Sequence, residues 1–128
     1  MAGQIARAAT LFRVSEIIVY DETARMTEEQ VSAYWSGSWH GDIQPTSSNL
    51  ESNFVLARIL EYLECPQYLR KALFQFQKPL QYAGLLNPLD SQHHVKGDDT
   101  SAKFRDGVIL DKPVKKGRGP LVDVGLDK

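Results

Sequence analysis

Glu64-Cys65-Pro66-Gln67-Tyr68-Leu69-Arg70-Lys71-Ala72-Leu73-Phe74, followed at a short distance by Tyr82-Ala83-Gly84-Leu85-Leu86-Asn87-Pro88-Leu89-Asp90, is where this chain departs from generic patterning. Pro66 has no N–H to give to a preceding turn, so it ends the incoming helix, and its fixed φ suits the first turn of a new one. In that second helix Leu69, Ala72, Leu73 and Phe76 are the expected buried face, with Arg70 and Lys71 projecting on the other side. Tyr82 to Leu86 is a short apolar run, expected as a strand that Asn87-Pro88 terminates. Cys65 has no evident base in the sequence to activate it, and reads as a buried structural thiol at a helix junction rather than a nucleophile.

Upstream, Ser52 or Asn53 suits the cap of a helix whose stripe is Val55, Leu56, Ile59, Leu60 and Leu63, flanked by Arg58 and Glu61. Glu22 to Glu51 is polar and rich in Ser, Thr, Gly and acids, and is expected to be a mobile insertion. A short helix fits Thr27 to Tyr34, where Thr27-Glu28-Glu29-Gln30 has the form of a capping box. Tyr34, Trp35 and Trp39 suit either anchoring of this insertion or stacking on a base or partner. His40 and Asp42 lack a third ligand nearby, which leaves a metal reading weak. Ser15 to Asp21 reads as a strand buried on both faces, since Ile17-Ile18-Val19-Tyr20 shows no alternation. Asp21 closes it, where ligands of α/β sheets bind, or else simply starts the loop. Ala2 to Val14 reads as an amphipathic helix with Ile5, Ala8, Ala9 and Phe12 on one face.

Downstream, His93 and His94 are adjacent and cannot share a face, so they make a poor metal pair. They suit contacts to phosphate or base, or a solvated loop. Val108-Ile109-Leu110 and Leu121 to Gly125 are expected strands of a hairpin. Between them runs Lys112-Pro113-Val114-Lys115-Lys116-Gly117-Arg118-Gly119-Pro120, the densest positive charge in the sequence. Such a turn can track a nucleic-acid backbone, or can be a tip whose lysines discourage edge pairing.

Composition sets outer bounds. A chain of 128 residues with 42% apolar and 24% charged residues suits one ordinary domain. Net charge is −1, so no global basic balance announces nucleic acid, although a local patch remains compatible. With one cysteine no intramolecular disulfide forms, which fits a reducing compartment. No secretory signal is visible, and no apolar run reaches the roughly 18 residues needed to span a bilayer, so no membrane partner is expected.

Five blocks resemble the SPOUT (α/β-knot) RNA methyltransferases of the branch with an inserted OB-like β-barrel. They are Ala2 to Ala8, Val14 to Asp21, Ala57 to Lys71, Ala83 to Asp90 with His93-His94, and Phe104 to Asp111. The resemblance implies an α/β fold: an incomplete parallel sheet of the knot domain over residues 1–105, with 22–51 as its insertion, and the first hairpin of the barrel over 106–128. It implies methylation of RNA, rRNA above all, with S-adenosylmethionine bound in the knot of a homodimer. The blocks do not include that knot, so no cofactor-binding residue is assigned and no cofactor is expected for this chain alone. No catalytic residue and no metal ligand is assigned either.

On this resemblance the RNA-binding candidates are Arg70, Lys71, Lys115, Lys116 and Arg118. An intracellular place is implied, nuclear or cytoplasmic, with spindle or kinetochore association in animal relatives. The alternative is a non-catalytic interaction module acting through the Tyr34 to Trp39 insertion. A sheet lacking neighbouring strands would leave apolar strand edges unpaired.

Overall fold

The computed structural model describes residues 1–20, 27–36, 38, 48–74, 77–99, 101–114 and 116–126. Its elements are helix α1 (Ala2–Leu11), α2 (Glu28–Trp35), α3 (Ser48–Glu64) and α4 (Arg70–Leu73), then strands β1 (Val108–Ile109) and β2 (Val122–Asp123). Short 3-10 turns cover Gln67–Leu69, Lys78–Leu80 and Ala83–Leu85.

α1 stops three residues earlier than its apolar spacing suggests. Arg13 turns left-handed at φ 53°. Its N–H bonds the Thr10 carbonyl at 3.1 Å and the Val14 N–H reaches back to Ala9 at 2.9 Å. This pair of bonds is a Schellman closure, which normally has glycine at the left-handed position. The buried stripe of α1 is also rotated from the expected one. Ala6 is its centre, with Ile5 against the core, while Ala8 and Phe12 face outward.

α2 is capped as its sequence indicates. The Thr27 N–H donates to Gln30 Oε1 at 2.9 Å and the Gln30 N–H to Thr27 Oγ1 at 3.3 Å. α3 begins at Ser48, so Ser52 and Asn53 lie inside it rather than capping it. It ends before Cys65-Pro66, as expected. Leu63 is fully enclosed at 0% exposure. It clusters with Ala6, Leu60 and Leu89, and Ile5, Val19, Leu56, Ile59 and Leu86 pack around them. The core is thus the α1–α3 interface with the Leu86 to Leu89 segment across it. Burying a leucine of this kind contributes about 1.5–3 kcal/mol.

The second helix is short. Leu69 is buried at its start, but Ala72 and Leu73 face outward. Phe76 lies outside the described residues. Tyr82 to Leu86 is not a strand: it coils into the 3-10 turn, burying only Ala83 and leaving Leu85 exposed. With no strand among the described residues to pair it, this run makes local bonds instead, Leu85 N–H to Tyr82 and Leu86 N–H to Ala83.

β1 and β2 form the expected antiparallel hairpin, with Val108 opposite Asp123 and Ile109 opposite Val122. Gly107 permits it, because a Cβ there would meet Val122 Cγ1 at 2.6 Å and Val124 Cγ1 at 2.9 Å. This hairpin is the sheet among the described residues. The parallel sheet expected from Ile17 to Tyr20 is therefore not formed within them. Ser15 to Tyr20 has no regular secondary structure and pairs with no strand among the described residues, and Ile18 is 74% and Tyr20 71% exposed. Only Val19 of that run packs on the core. A strand needs a neighbour to supply its ladder, and propensity alone cannot create one. Asp21 lies outside the described residues.

Candidate nucleic-acid interface

The basic turn is presented to solvent. Lys112, Lys116 and Arg118 are exposed, and Lys115 lies outside the described residues. Gly117 takes φ +84° and has nothing within 4 Å of where a Cβ would sit. The turn's charges therefore stand away from the rest of the protein.

What fixes the turn is its base. Arg105 places its guanidinium 4.8 Å from the Tyr68 ring centroid. One terminal nitrogen donates to the carbonyls of Gly97 at 3.1 Å and Val124 at 3.3 Å. The other donates to Lys96 at 3.0 Å and Asp99 at 2.5 Å. The Tyr68 hydroxyl donates to the Asp106 carbonyl at 3.2 Å. Gly125, at φ +68°, lies against the Tyr68 ring so closely that a Cβ would overlap its atoms. A planar guanidinium with five donors is suited to gathering several carbonyls at once. One residue thus joins the 96–99 loop, Val124 just after β2 and the Gln67–Leu69 turn. Nothing in the spacing of Arg105 marks it as a site residue; it stands within the Phe104 to Asp111 block of family resemblance.

The electrostatics of this junction follow from its contacts. Burial, and then the charge of Asp106, raise the Tyr68 phenol above its ordinary pKa. The hydroxyl and N–H of Ser101 hold the Asp99 carboxylate below its ordinary range, donating at 2.6 and 2.9 Å.

Arg70 and Lys71 part company. Lys71 is exposed. Arg70 does not project into solvent; it folds back over the carboxyl end of α3. Its Nε donates to the Cys65 carbonyl at 3.1 Å and Nη2 to Leu63 at 3.3 Å, with the guanidinium 4.4 Å from the Tyr62 ring centroid. A cation there offsets the negative end of the helix dipole and occupies its orphan carbonyls. His93 and His94 join the same end. His93 Nε2 lies 3.2 Å from the Glu64 carbonyl and 3.0 Å from its carboxylate. His94 faces the Leu89 carbonyl at 3.0 Å and that of Glu64 at 2.5 Å. The two histidines are therefore engaged with backbone rather than held out as a solvated loop.

Cys65 is buried and its Sγ faces the Pro66 carbonyl at 3.5 Å. Burial pushes its thiol up, and the nearby Glu64 charge adds to this against Arg70, so it is a poor nucleophile at neutral pH. Among the described residues no three His, Cys, Asp or Glu side chains gather as metal ligands. His40, Asp42 and Trp39 lie outside the described residues, and nothing is shown of the side chains of Tyr34 and Trp35.

A second feature runs along α3 and reaches Glu64 and His93 at its carboxyl end. An open groove of about 1250 Å³ runs between α1, Val14 to Tyr20, α3 and Leu89 to His93. Its described lining includes no glycine, and Glu16, Glu61, Glu64 and Asp90 stand along it together with Arg13 and His93.

Comparison with known proteins agrees with the resemblance carried by the five blocks. Residues 1–128 match the family described as "Putative RNA methyltransferase". The chain belongs to that family. It is 63% identical over 128 residues to "Putative methyltransferase spot-1" of Caenorhabditis elegans, covering 100% of this chain and 34% of that protein. It is 48% identical over 128 residues to the 28S rRNA (uridine-N(3))-methyltransferase of Mus musculus, covering all of this chain and 31% of the mouse protein. With the Homo sapiens protein of the same name it shares 44% over the same span, again 31% of that protein. The chain spans about a third of the length of the curated relatives it matches. No helix among the described residues is long and apolar enough to cross a membrane.

Proposed function

We propose that this chain is the RNA-holding part of an S-adenosylmethionine-dependent RNA methyltransferase, with uridine of large-subunit rRNA as its substrate. The observation that carries this is the family match across residues 1–128, and the names of the mouse, fly and human relatives supply the substrate. On this reading residues 1–105 are the first part of a SPOUT domain and 106–128 the opening hairpin of an inserted OB-like barrel. The knot, the cofactor site and the catalytic groups belong to the length of the relatives that this chain does not match, and the whole works as a homodimer. An rRNA substrate places it inside the cell, in the nucleus or cytoplasm.

Uridine N3 lies on the Watson–Crick edge, so a base methylated there must be unpaired. The partner is accordingly single-stranded or locally opened RNA, held by its phosphates. Lys71, Lys115, Lys116 and Arg118 are assigned that role, with the exposed turn supplying most of the charge. Arg70 contributes to the local potential but gives two of its five N–H donors to the Cys65 and Leu63 carbonyls.

The test is a chimera in which this chain replaces the matched 128 residues of the worm relative. It is expected to transfer methyl groups to a uridine of 28S rRNA, read by mass spectrometry of the digested RNA. Joint replacement of Lys71, Lys116 and Arg118 by alanine should lower kcat/KM at least about 10-fold. It should also flatten the dependence of log affinity on log salt by about 0.7 per lost contact. An inactive chimera beside an active parent, or a triple variant with unchanged salt dependence, overturns the reading.

A further inference from the structure

The charges assigned to RNA stand on two different parts of the chain. Lys71 belongs to α4, whereas Lys116 and Arg118 belong to the turn between β1 and β2. The hairpin that carries the turn is short, with two residues in each strand, and Ile109 and Val122 are exposed on it. So small a hairpin is marginal by itself and cannot fix its own direction. The Tyr68 junction grips it by both legs. On the leg that enters β1, Arg105 lies over the Tyr68 ring and the Tyr68 hydroxyl donates to the Asp106 carbonyl. On the leg that leaves β2, the Val124 carbonyl accepts from Arg105 and Gly125 lies against the same ring. Asp123 Oδ1 accepts from the Gly125 N–H at 2.9 Å and holds that bend. Gly97 closes the third side, where a Cβ would stand 3.9 Å from both the Gly125 oxygen and Tyr68 Cβ.

Tyr68 also carries this grip toward Lys71. It sits in the Gln67–Leu69 turn, which runs without a break into α4, three residues before Lys71. The ring that supports the base of the hairpin is therefore on the element that presents the other lysine. Arg105 is half-buried, and its two terminal nitrogens are turned to the carbonyls of Lys96, Gly97, Asp99 and Val124 rather than outward. Two basic sites on loosely joined parts bind a phosphate chain as two weak sites. Held at a fixed spacing, they bind it as one, because the second contact becomes intramolecular.

We infer that Arg105 is a positioning residue for RNA: through Tyr68 and Gly125 it holds the basic turn at a fixed place relative to Lys71, so that one strand engages both. This rests on the RNA-binding reading of Lys71 and the turn, and adds the device that sets their spacing.

The test uses the chimera with the worm relative and single-stranded RNA of about 4 and about 20 nucleotides, lengths that reach one basic site or both. Arg105→Ala should raise KM for the RNA substrate at least about 10-fold and leave kcat within about 2-fold. It should weaken binding of the long strand and leave the short strand unchanged. Arg105→Lys keeps the charge but not the planar fork, and should behave as the alanine variant does. Gly125→Ala alters no charge and should do the same. The α3 core involves neither residue, so hydrogen exchange should show its amides still protected in all three variants. Restored affinity in Arg105→Lys would mean that the charge meets phosphate directly, and overturns the inference. So does an equal loss for short and long strands, or a KM that Arg105→Ala does not move. If instead the joint Lys71, Lys116 and Arg118 variant keeps the parent's salt dependence, the RNA reading itself fails and this inference falls with it.

Discussion

The carboxyl end of α3 and the segment beside its middle are finished to different degrees. Arg70, His93 and His94 occupy the carbonyls of Leu63, Glu64 and Cys65, and next to them Arg105 gathers four more. Along its middle, the neighbouring Ser15 to Tyr20 segment has, among the described residues, a single side-chain bond and an open groove. Both regions are built from the same 128 residues, so composition does not explain the contrast. The difference is the range of the contacts needed. Carbonyl ends and loops can be satisfied by a long cation folding back from nearby, whereas a strand can be satisfied only by another strand.

The largest effect is expected where the closed side is opened. Arg105→Ala removes four donor contacts and the stacking on Tyr68 together, and should cost about 1–3 kcal/mol in a urea titration. It should also raise proteolysis at the hairpin before any loss of helix. If stability is unchanged, the junction is not what holds the hairpin, and the contrast drawn above fails on that side.

The next effect is a dependence on pH. The Tyr68 phenol is raised, so its contribution is present below the ordinary tyrosine value of about 10 and is lost as pH rises through its folded value. The Asp99 carboxylate is lowered, so its contribution is present above the ordinary value of about 3.9 and is lost as pH falls through its folded value. The junction should thus be firmest between those limits. Tyr68→Phe should remove the alkaline decline and leave the acid one. A titration of hairpin protection from about pH 3 to 11 reads both limbs, and a Tyr68→Phe profile identical to the parent's would show that the phenol does not matter.

The smallest effect belongs to the open side. Ile18→Ala should change the stability of this chain by less than about 0.5 kcal/mol, because its side chain has little to lose. A larger cost in thermal or urea unfolding would mean the segment is covered already, and would narrow the contrast from its other end.

Which features were legible in the sequence follows the same logic of range. The Thr27/Gln30 box, the stop at Cys65-Pro66, the Leu60–Leu63 stripe and the hairpin around the Lys112 to Pro120 turn all rest on neighbours a few residues apart, and they formed as read. The end of α1 escaped because Arg13 sits where a glycine would have signalled the stop. Ile17 to Tyr20 carries the sequence marks of a strand, but no strand among the described residues pairs with it. The exposed charges Lys71, Lys116 and Arg118 stand where a reading of the turn and helix put them. Arg70 did not, because the carbonyls that claim it belong to the preceding helix end. The role of Arg105 depends on loops that meet only after folding, and no local pattern announces it.

The contact of Gly125 with the Tyr68 ring ties together two positions 57 residues apart. A side chain at 125 would meet both an unfavourable backbone angle and an aromatic wall, and shrinking the ring would relieve only the second. The pair is therefore inherited asymmetrically. The tyrosine is free to give way to something smaller while the glycine stays, but the glycine has no path to change first. In a lineage of such chains, position 125 should be the slower clock.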